Sequence, residues 1–295
     1  LTTVYGGDRG RLYRNEGSRR FVNATAGSGL NPNTGGQQAS WADFDNDGDL
    51  DLITGASAGL GKHFAGVIAR AGAQVVLTAR RLEKLEETAS PIREAGGAVH
   101  CVTLDVMDNE QIPAAFDAAE DTFGTVTVLI NNSGIVIAGK YPEIPEEDWD
   151  AVIGTNLKGA WMMAQETARR MMSAKEGGSI VNLASVLAFR TQKALSTYSI
   201  SKAALAQMTR TMAAELAPHN IRVNAMAPGY IATDMNSDFL YSGRGQQMMG
   251  EVPLGRYGHP SELDECLLML SGDKSKYLTG SIIPIDGGHS LAIRD

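Results

Sequence analysis

Cysteine is nearly missing from this chain: 295 residues contain two, Cys101 and Cys266. Nothing in their placement indicates a pair, so a disulfide framework is excluded and a reducing compartment is favoured. The five histidines, His63, His100, His219, His259 and His289, show no zinc-ligand spacing, which argues against a structural zinc site. The net charge is −8 and no run of lysine or arginine marks a nucleic-acid track. No apolar stretch reaches the roughly 20 residues of a membrane span, and no signal-peptide pattern opens the chain. These absences point to a cytoplasmic protein without nucleic-acid or membrane partners. What is present is 43% hydrophobic residues, enough for one large core plus an appendage.

The chain reads as two unequal pieces, residues 1–47 and 48–295. The first is rich in glycine, asparagine, arginine and aspartate and has little apolar periodicity. Its clearest signal is Asp43-Phe44-Asp45-Asn46-Asp47-Gly48-Asp49-Leu50-Asp51. Oxygens at alternate positions before a glycine turn suit a hard cation such as calcium. With Leu12-Tyr13-Arg14-Asn15-Glu16-Gly17 and Trp41-Ala42-Asp43, the segment resembles a single FG-GAP or VCBS repeat. That resemblance implies calcium ligands at Asp43, Asp45, Asp47 and Asp51; the alternative is a solvated acidic loop on a fusion remnant. A lone repeat cannot bury its own core, because such architectures depend on stacked neighbours. The expectation is a short irregular or β-rich extension. Asp51 also falls within the first strand of the second piece, where a buried carboxylate is costly without a partner or metal.

From Gly48 onward, short runs rich in valine, isoleucine and leucine alternate with helical patterns. Strands are expected at 50–53, 74–77, 100–104, 126–130, 179–183, 222–226 and 281–285, with helices at 62–71, 81–95, 110–123, 147–172 and 197–216. Apolar runs separated by helices imply parallel strands covered on both faces. The fold class is therefore α/β, a single doubly wound Rossmann domain with a parallel sheet.

Two motifs carry chemistry. Leu50–Thr54 runs into Gly55-Ala56-Ser57-Ala58-Gly59-Leu60-Gly61 and then a helical pattern. Strand, glycine turn and helix N-terminus bring backbone N–H groups and the helix dipole to a pyrophosphate. Further along, Tyr198 and Lys202 stand four apart on a helix, so the phenol and the ammonium share a face. A free phenol titrates near pH 10, and a neighbouring positive charge favours the phenolate. A drop of roughly three units would correspond to about 4 kcal/mol. Tyr198 is thus a candidate general acid or base.

With Asp105, Asn131-Asn132-Ser133-Gly134, Asn156, Ser185 thirteen residues before Tyr198, Pro228-Gly229 and Asp286-Gly287-Gly288, the second piece resembles the short-chain dehydrogenase/reductase family. The resemblance implies catalytic roles for Asn156, Ser185, Tyr198 and Lys202, without a metal. It implies that Lys202 lowers the Tyr198 pKa and binds the nicotinamide ribose, and that Asn156 steadies a helix irregularity and a relay water. It places a dinucleotide along Gly55, Ser57, Gly59, Leu60, Gly61, Asp105, Val106, Asn132, Gly134, Pro228, Gly229, Ile231 and Thr233, besides Tyr198 and Lys202. Ala79-Arg80 stands where NAD-preferring relatives carry an acidic residue, so NADP(H) is favoured, with Arg80 on the 2′-phosphate and NAD(H) left open. The implied function is reduction of a carbonyl compound or oxidation of a secondary alcohol. Within the family, 3-oxoacyl-carrier-protein reductases and sugar or polyol dehydrogenases are both similar; Ala214 stands where carrier-protein reductases would have an arginine. A non-catalytic NADP(H)-sensing protein is the reading from another class. A homotetramer and a small-molecule substrate are also implied by the family.

Overall fold

The computed structural model describes residues 13–15, 21–23, 50–233, 240 and 242–291. The chain divides into two units, residues 1–41 and 42–295. Within the first, β1 (Tyr13–Asn15) and β2 (Phe21–Asn23) form an antiparallel pair, Tyr13 opposite Asn23. Of the four calcium candidates, Asp43, Asp45 and Asp47 lie outside the described residues.

In the second unit, all seven expected strands form. They are β3 (Leu50–Thr54), β4 (Gln74–Ala79), β5 (Val99–Thr103), β6 (Val128–Asn131), β7 (Gly178–Leu183), β8 (Ile221–Pro228) and β9 (Ile282–Ile285). They make one parallel sheet in the order β5-β4-β3-β6-β7-β8-β9. The order reverses between β3 and β6, which leaves a crevice at the carboxyl ends of those strands.

Side chains alternate across the sheet, as the two-residue strand period demands. Ile53, Val75, Leu77, Val128, Ile130 and Val181 fall on one face under α1 (Gly59–Arg70) and α2 (Leu82–Glu94). Leu50, Leu52, Val76, Leu129, Ile180 and Val223 fall on the other, under α3 (Gln111–Phe123). Asp51 is buried at 3% exposure on the face of Ile53, in register with Val75 and Val128.

The helix expected over residues 147–172 is interrupted. α4 (Glu146–Ile153) passes through a π-helical turn, Gly154–Gly159, before α5 (Ala160–Ala174). Two local contacts account for the break. Asn156 leaves the regular pattern to bond the main chain at Ile135, and Gly159 lets Val106 approach: a Cβ at Gly159 would lie 2.8 Å from Val106 Cγ2. A π turn of this kind is a frequent mark of a functional site. α6 (Ser196–Leu216) follows as expected, and among the described residues two short helices, α7 (Gly243–Met249) and α8 (Asp264–Ser271), come after it.

Candidate active site

β3 delivers the glycine turn to the crevice. Gly55 and Gly59 have φ of +67° and +54°, backbone that favours glycine. A Cβ on Gly61 would lie 2.4 Å from Gly55 O and from Asn132 Nδ2, so the helix start can close on the turn only with hydrogen at this position. Ala58 precedes α1 without a side-chain cap. The first-turn N–H groups are thus left to an anion rather than to a side chain.

The end of β6 is stapled to this turn. Asn132 Nδ2 donates to Thr54 O and Gly55 O at 3.0 and 3.2 Å, and Thr54 Oγ1 accepts the N–H groups of Asn132 and Ser133, both at 3.0 Å. Asn132 therefore braces the turn with its amide. Asn131, one residue earlier, is buried and donates to Ala160 O and Asn182 Oδ1.

The remaining cofactor candidates line the same crevice end. Arg80 directly follows β4 and is exposed, as is Arg81. Asp105 is half-buried and its Oδ1 accepts the Met107 N–H at 3.0 Å. Val106 is buried against Gly159. Ser57 and Leu60 are half-buried on the turn, and Leu60 packs on the core. After β8, a Cβ on Gly229 would sit 2.7 Å from Asp286 Cα, so Pro228-Gly229 and Asp286-Gly287-Gly288 are pressed together. Asp286 closes its own turn by accepting the N–H groups of Gly288 and Ser290. Ile231 is buried and Thr233 half-buried beyond them.

The four catalytic candidates come from three places: the π turn, the segment just past β7, and α6, which carries both Tyr198 and Lys202. Asn156, fully buried in the π turn, accepts Ile135 N–H at 2.8 Å and donates to Ile135 O at 2.9 Å and to Ser201 Oγ at 3.1 Å. Ser201 in turn donates to Tyr198 O at 2.7 Å, which links the π turn to the first turns of α6. Sequence reasoning missed Ser201; its signal was a hydroxyl three residues after the tyrosine and beside the lysine. Lys202 is buried and its Nζ donates to Leu183 O, at the end of β7, at 2.6 Å. Gly134 packs beside both Lys202 and Asn156, since a Cβ there would lie in ordinary contact, 3.5 Å from Lys202 Nζ and 3.4 Å from Asn156 Oδ1. Ser185 is buried just past β7; its hydroxyl accepts Leu187 N–H at 3.2 Å and stands close enough to the Tyr198 phenol to lower its pKa.

The electrostatics differ from the simple tyrosine–lysine expectation. Burial pushes the Tyr198 phenol above its ordinary value, and the Ser185 hydrogen bond works against that rise. Burial also lowers Lys202, to about 8. The ammonium lies 5.7 Å from the centre of the Tyr198 ring and is hydrogen-bonded to the Leu183 carbonyl. In this geometry desolvation outweighs the lowering by Ser185, and no lowering by Lys202 is resolved.

A parallel doubly wound sheet with a glycine turn at its switch point and a hydroxyl–phenol–ammonium cluster beside it defines a dinucleotide-dependent oxidoreductase. The model of the "Enoyl-(Acyl carrier protein) reductase" family matches residues 55–290, and that of the FG-GAP-like repeat matches residues 2–54. The chain is 38% identical to a 3-oxoacyl-(acyl-carrier-protein) reductase of Thermotoga maritima, over 82% of this chain and 98% of that protein. It is 35% identical to 2-dehydro-3-deoxy-D-gluconate 5-dehydrogenase of Escherichia coli, over 83% and 96%. The structure of gluconate 5-dehydrogenase from Burkholderia cenocepacia in complex with NADP and tartrate superposes with a TM-score of 0.81 at 31% identity, over 86% of this chain and 99% of that one. The chain belongs to the short-chain dehydrogenase/reductase family, and it is an NAD(P)-dependent oxidoreductase acting on CH–OH or carbonyl groups.

Proposed function

We propose that this protein interconverts a small carbonyl compound and its secondary alcohol with NADP(H), using Tyr198 as the general acid and base. The observation that carries this reading is the hydrogen-bonded chain Asn156–Ser201–Tyr198, with Lys202 bonded to Leu183 O and Ser185 beside the phenol. A nicotinamide held there would supply or accept the hydride. Tyr198, kept protonated by burial, gives its proton to the substrate oxygen as negative charge builds there. Ser185 donates to the same oxygen and holds it against the phenol. Lys202, charged at neutral pH and fixed by Leu183 O, offers its remaining N–H groups to the nicotinamide ribose. Asn156 keeps α4 and α5 in the broken form that leaves room behind Lys202 for a relay water.

Gly55, Ser57, Gly59, Leu60 and Gly61 would hold the pyrophosphate, with Asp105, Val106, Asn132 and Gly134 on the adenosine side and Pro228, Gly229, Ile231 and Thr233 at the nicotinamide end. The NADP preference is supported by exposed Arg80 at the end of β4, free of any carboxylate at Ala79, and by neighbours of known structure that hold NADP. A small-molecule substrate is favoured over an acyl chain on a carrier protein. Ala214 is exposed and uncharged on α6 where carrier-protein reductases would have an arginine, and on α5 Arg170 is occupied by Glu120, Glu166 and Asp117, although Arg169 on α5 stays exposed. Apolar side chains left exposed on α4, α5 and α6, namely Trp149, Trp161, Met172 and Ile200, support a homo-oligomer, for which we propose a tetramer.

A panel of carbonyl compounds assayed by loss of reduced-nicotinamide absorbance tests the reading. Turnover with NADPH that Tyr198→Phe removes is the expected result. Turnover that survives in Tyr198→Phe at more than about a tenth of wild type would exclude the tyrosine role, because positioned proton transfer is worth 10²–10⁴-fold.

A further inference from the structure

Gln192 lies on the loop from Ser185 to α6, six residues before Tyr198. The loop is tied down at alternate residues. Arg190 Nη1 donates to His289 O at 2.6 Å, Gln192 Oε1 accepts the Tyr230 hydroxyl at 3.0 Å, and Ala194 O accepts Gly139 N–H at 2.9 Å. Tyr230 follows Pro228-Gly229 directly. The Gln192–Tyr230 bond therefore joins the loop that ends in Ser185 and Tyr198 to the segment proposed for the nicotinamide end.

Tyr230 is a fixed partner. Its ring centre is 5.0 Å from that of His289, and it meets Tyr257 edge-on at 6.3 Å. Burial, reinforced by Glu251, pushes its phenol up to about 12, so it remains a donor at any working pH. With Oε1 taken by Tyr230, the amide nitrogen of Gln192 faces away from it. That nitrogen makes no hydrogen bond to a described residue and is not sealed inside the protein. A primary amide with its oxygen spent and two N–H donors open is equipped to bind an oxygen acceptor.

We propose that Gln192, oriented by Tyr230, is a specificity-determining residue that donates to a hydroxyl or carboxylate oxygen on the substrate's carbon chain. The site thereby selects hydroxylated or carboxylated carbonyl compounds over apolar ones of equal length. This rests on the hydride-transfer reading above and names its substrate class. Covering the Gln192 N–H with an apolar substrate would leave it unpaired, which is the physical source of the discrimination.

The test compares wild type, Gln192→Leu, Gln192→Glu and Tyr230→Phe on matched pairs of carbonyl substrates, one polyhydroxylated or carboxylated and one apolar, with NADPH. Gln192→Glu is the decisive variant. Its carboxylate still accepts the Tyr230 hydroxyl and keeps the loop tied, but it offers no N–H. The expected result is a wild-type preference for the polar partner that falls about tenfold in both Gln192 variants, chiefly through KM, with Gln192→Glu hit hardest on carboxylates. Tyr230→Phe should lose a smaller part of the preference, because the amide is then free to rotate. A preference unchanged in Gln192→Glu, an equal loss on both substrate types in both Gln192 variants, or a wild type that favours the apolar partner would overturn the assignment. Failure of wild type on every pair, with either cofactor, would instead remove the hydride-transfer reading itself.

Discussion

Lys202 keeps a charge where water cannot follow it. Its folded-state pKa, about 8, lies below the ordinary 10.5 because burial penalises the ammonium form. Between those two pH values the unfolded chain binds the proton more tightly than the native state does, so stability rises as pH climbs through the window. Below pH 8 the full cost of the buried charge is present, and above about 10.5 it is gone. Lys202→Met should therefore raise the thermal midpoint of the cofactor-free protein at pH 7. The charge cost is about 3 kcal/mol, partly offset by about 1 kcal/mol for the lost bond to Leu183 O. The gain should vanish by about pH 10.5, measured by melting across that range, while turnover is lost at every pH. A variant less stable than wild type at pH 7 would show that the Leu183 bond outweighs the desolvation. At the same scale, Arg80→Ala should narrow the ratio of catalytic efficiencies for NADPH over NADH by weakening the contact to the 2′-phosphate. Steady-state kinetics with both cofactors checks this, and equal efficiencies in the wild type would contradict the reading of Ala79-Arg80.

Among the elements, the π turn has the greatest consequence for the site. Asn156 makes both hydrogen bonds to Ile135 and the one to Ser201 from inside the protein. Asn156→Ala leaves the Ile135 N–H and C=O without those partners, which costs roughly 2–6 kcal/mol at about 1–3 kcal/mol per orphaned group. It also releases Ser201, which steadies the Tyr198 carbonyl. A fall in thermal midpoint together with a fall in turnover is expected; turnover lost at an unchanged midpoint would mean that Asn156 acts on the chemistry alone. The strands were legible because a fully buried parallel strand is nearly all Val, Ile and Leu, and each lies between recognisable helical patterns. The π turn was legible only through the family resemblance, which implied a helix irregularity at Asn156, because apolar periodicity in Glu147–Met172 continues across it. α7 and α8 escaped notice for a simpler reason: at seven and eight residues, they are too short for a 3.6-residue period to register. In the site itself Tyr198 and Lys202 stand out by their spacing, while Ser185 came only through the family resemblance. That Lys202 would bond Leu183 O, and leave the phenol to be governed by burial, depends on where β7 ends in space, which no spacing reveals.

Across the whole molecule, the unusual feature is one strand claimed by two patterns. The FG-GAP-like match runs through residue 54 and the reductase match begins at residue 55. Yet Leu50–Thr54 is the central strand of the sheet, paired on one side with β4 and on the other with β6. Leu50, Leu52 and Ile53 are each at most 1% exposed. Burying three such side chains is worth roughly 5–9 kcal/mol, comparable with the entire stability of a domain, about 5–15 kcal/mol. Residues 1–47 are a different matter, because a single repeat lacks the neighbours on which its architecture depends. We therefore expect a chain starting at Asp47 to keep NADPH turnover within about twofold and its thermal midpoint within a few degrees, as a ΔΔG near 1 kcal/mol would allow. A chain starting at Gly55 should not fold, since it loses the strand that aims the glycine turn. Turnover and melting curves for the three lengths, each with calcium and with chelator, separate the outcomes. If removing residues 1–46 abolishes activity, or if calcium raises the midpoint of the full chain by many degrees, the acidic loop at Asp43, Asp45, Asp47 and Asp51 is a structural cation site rather than an appended remnant.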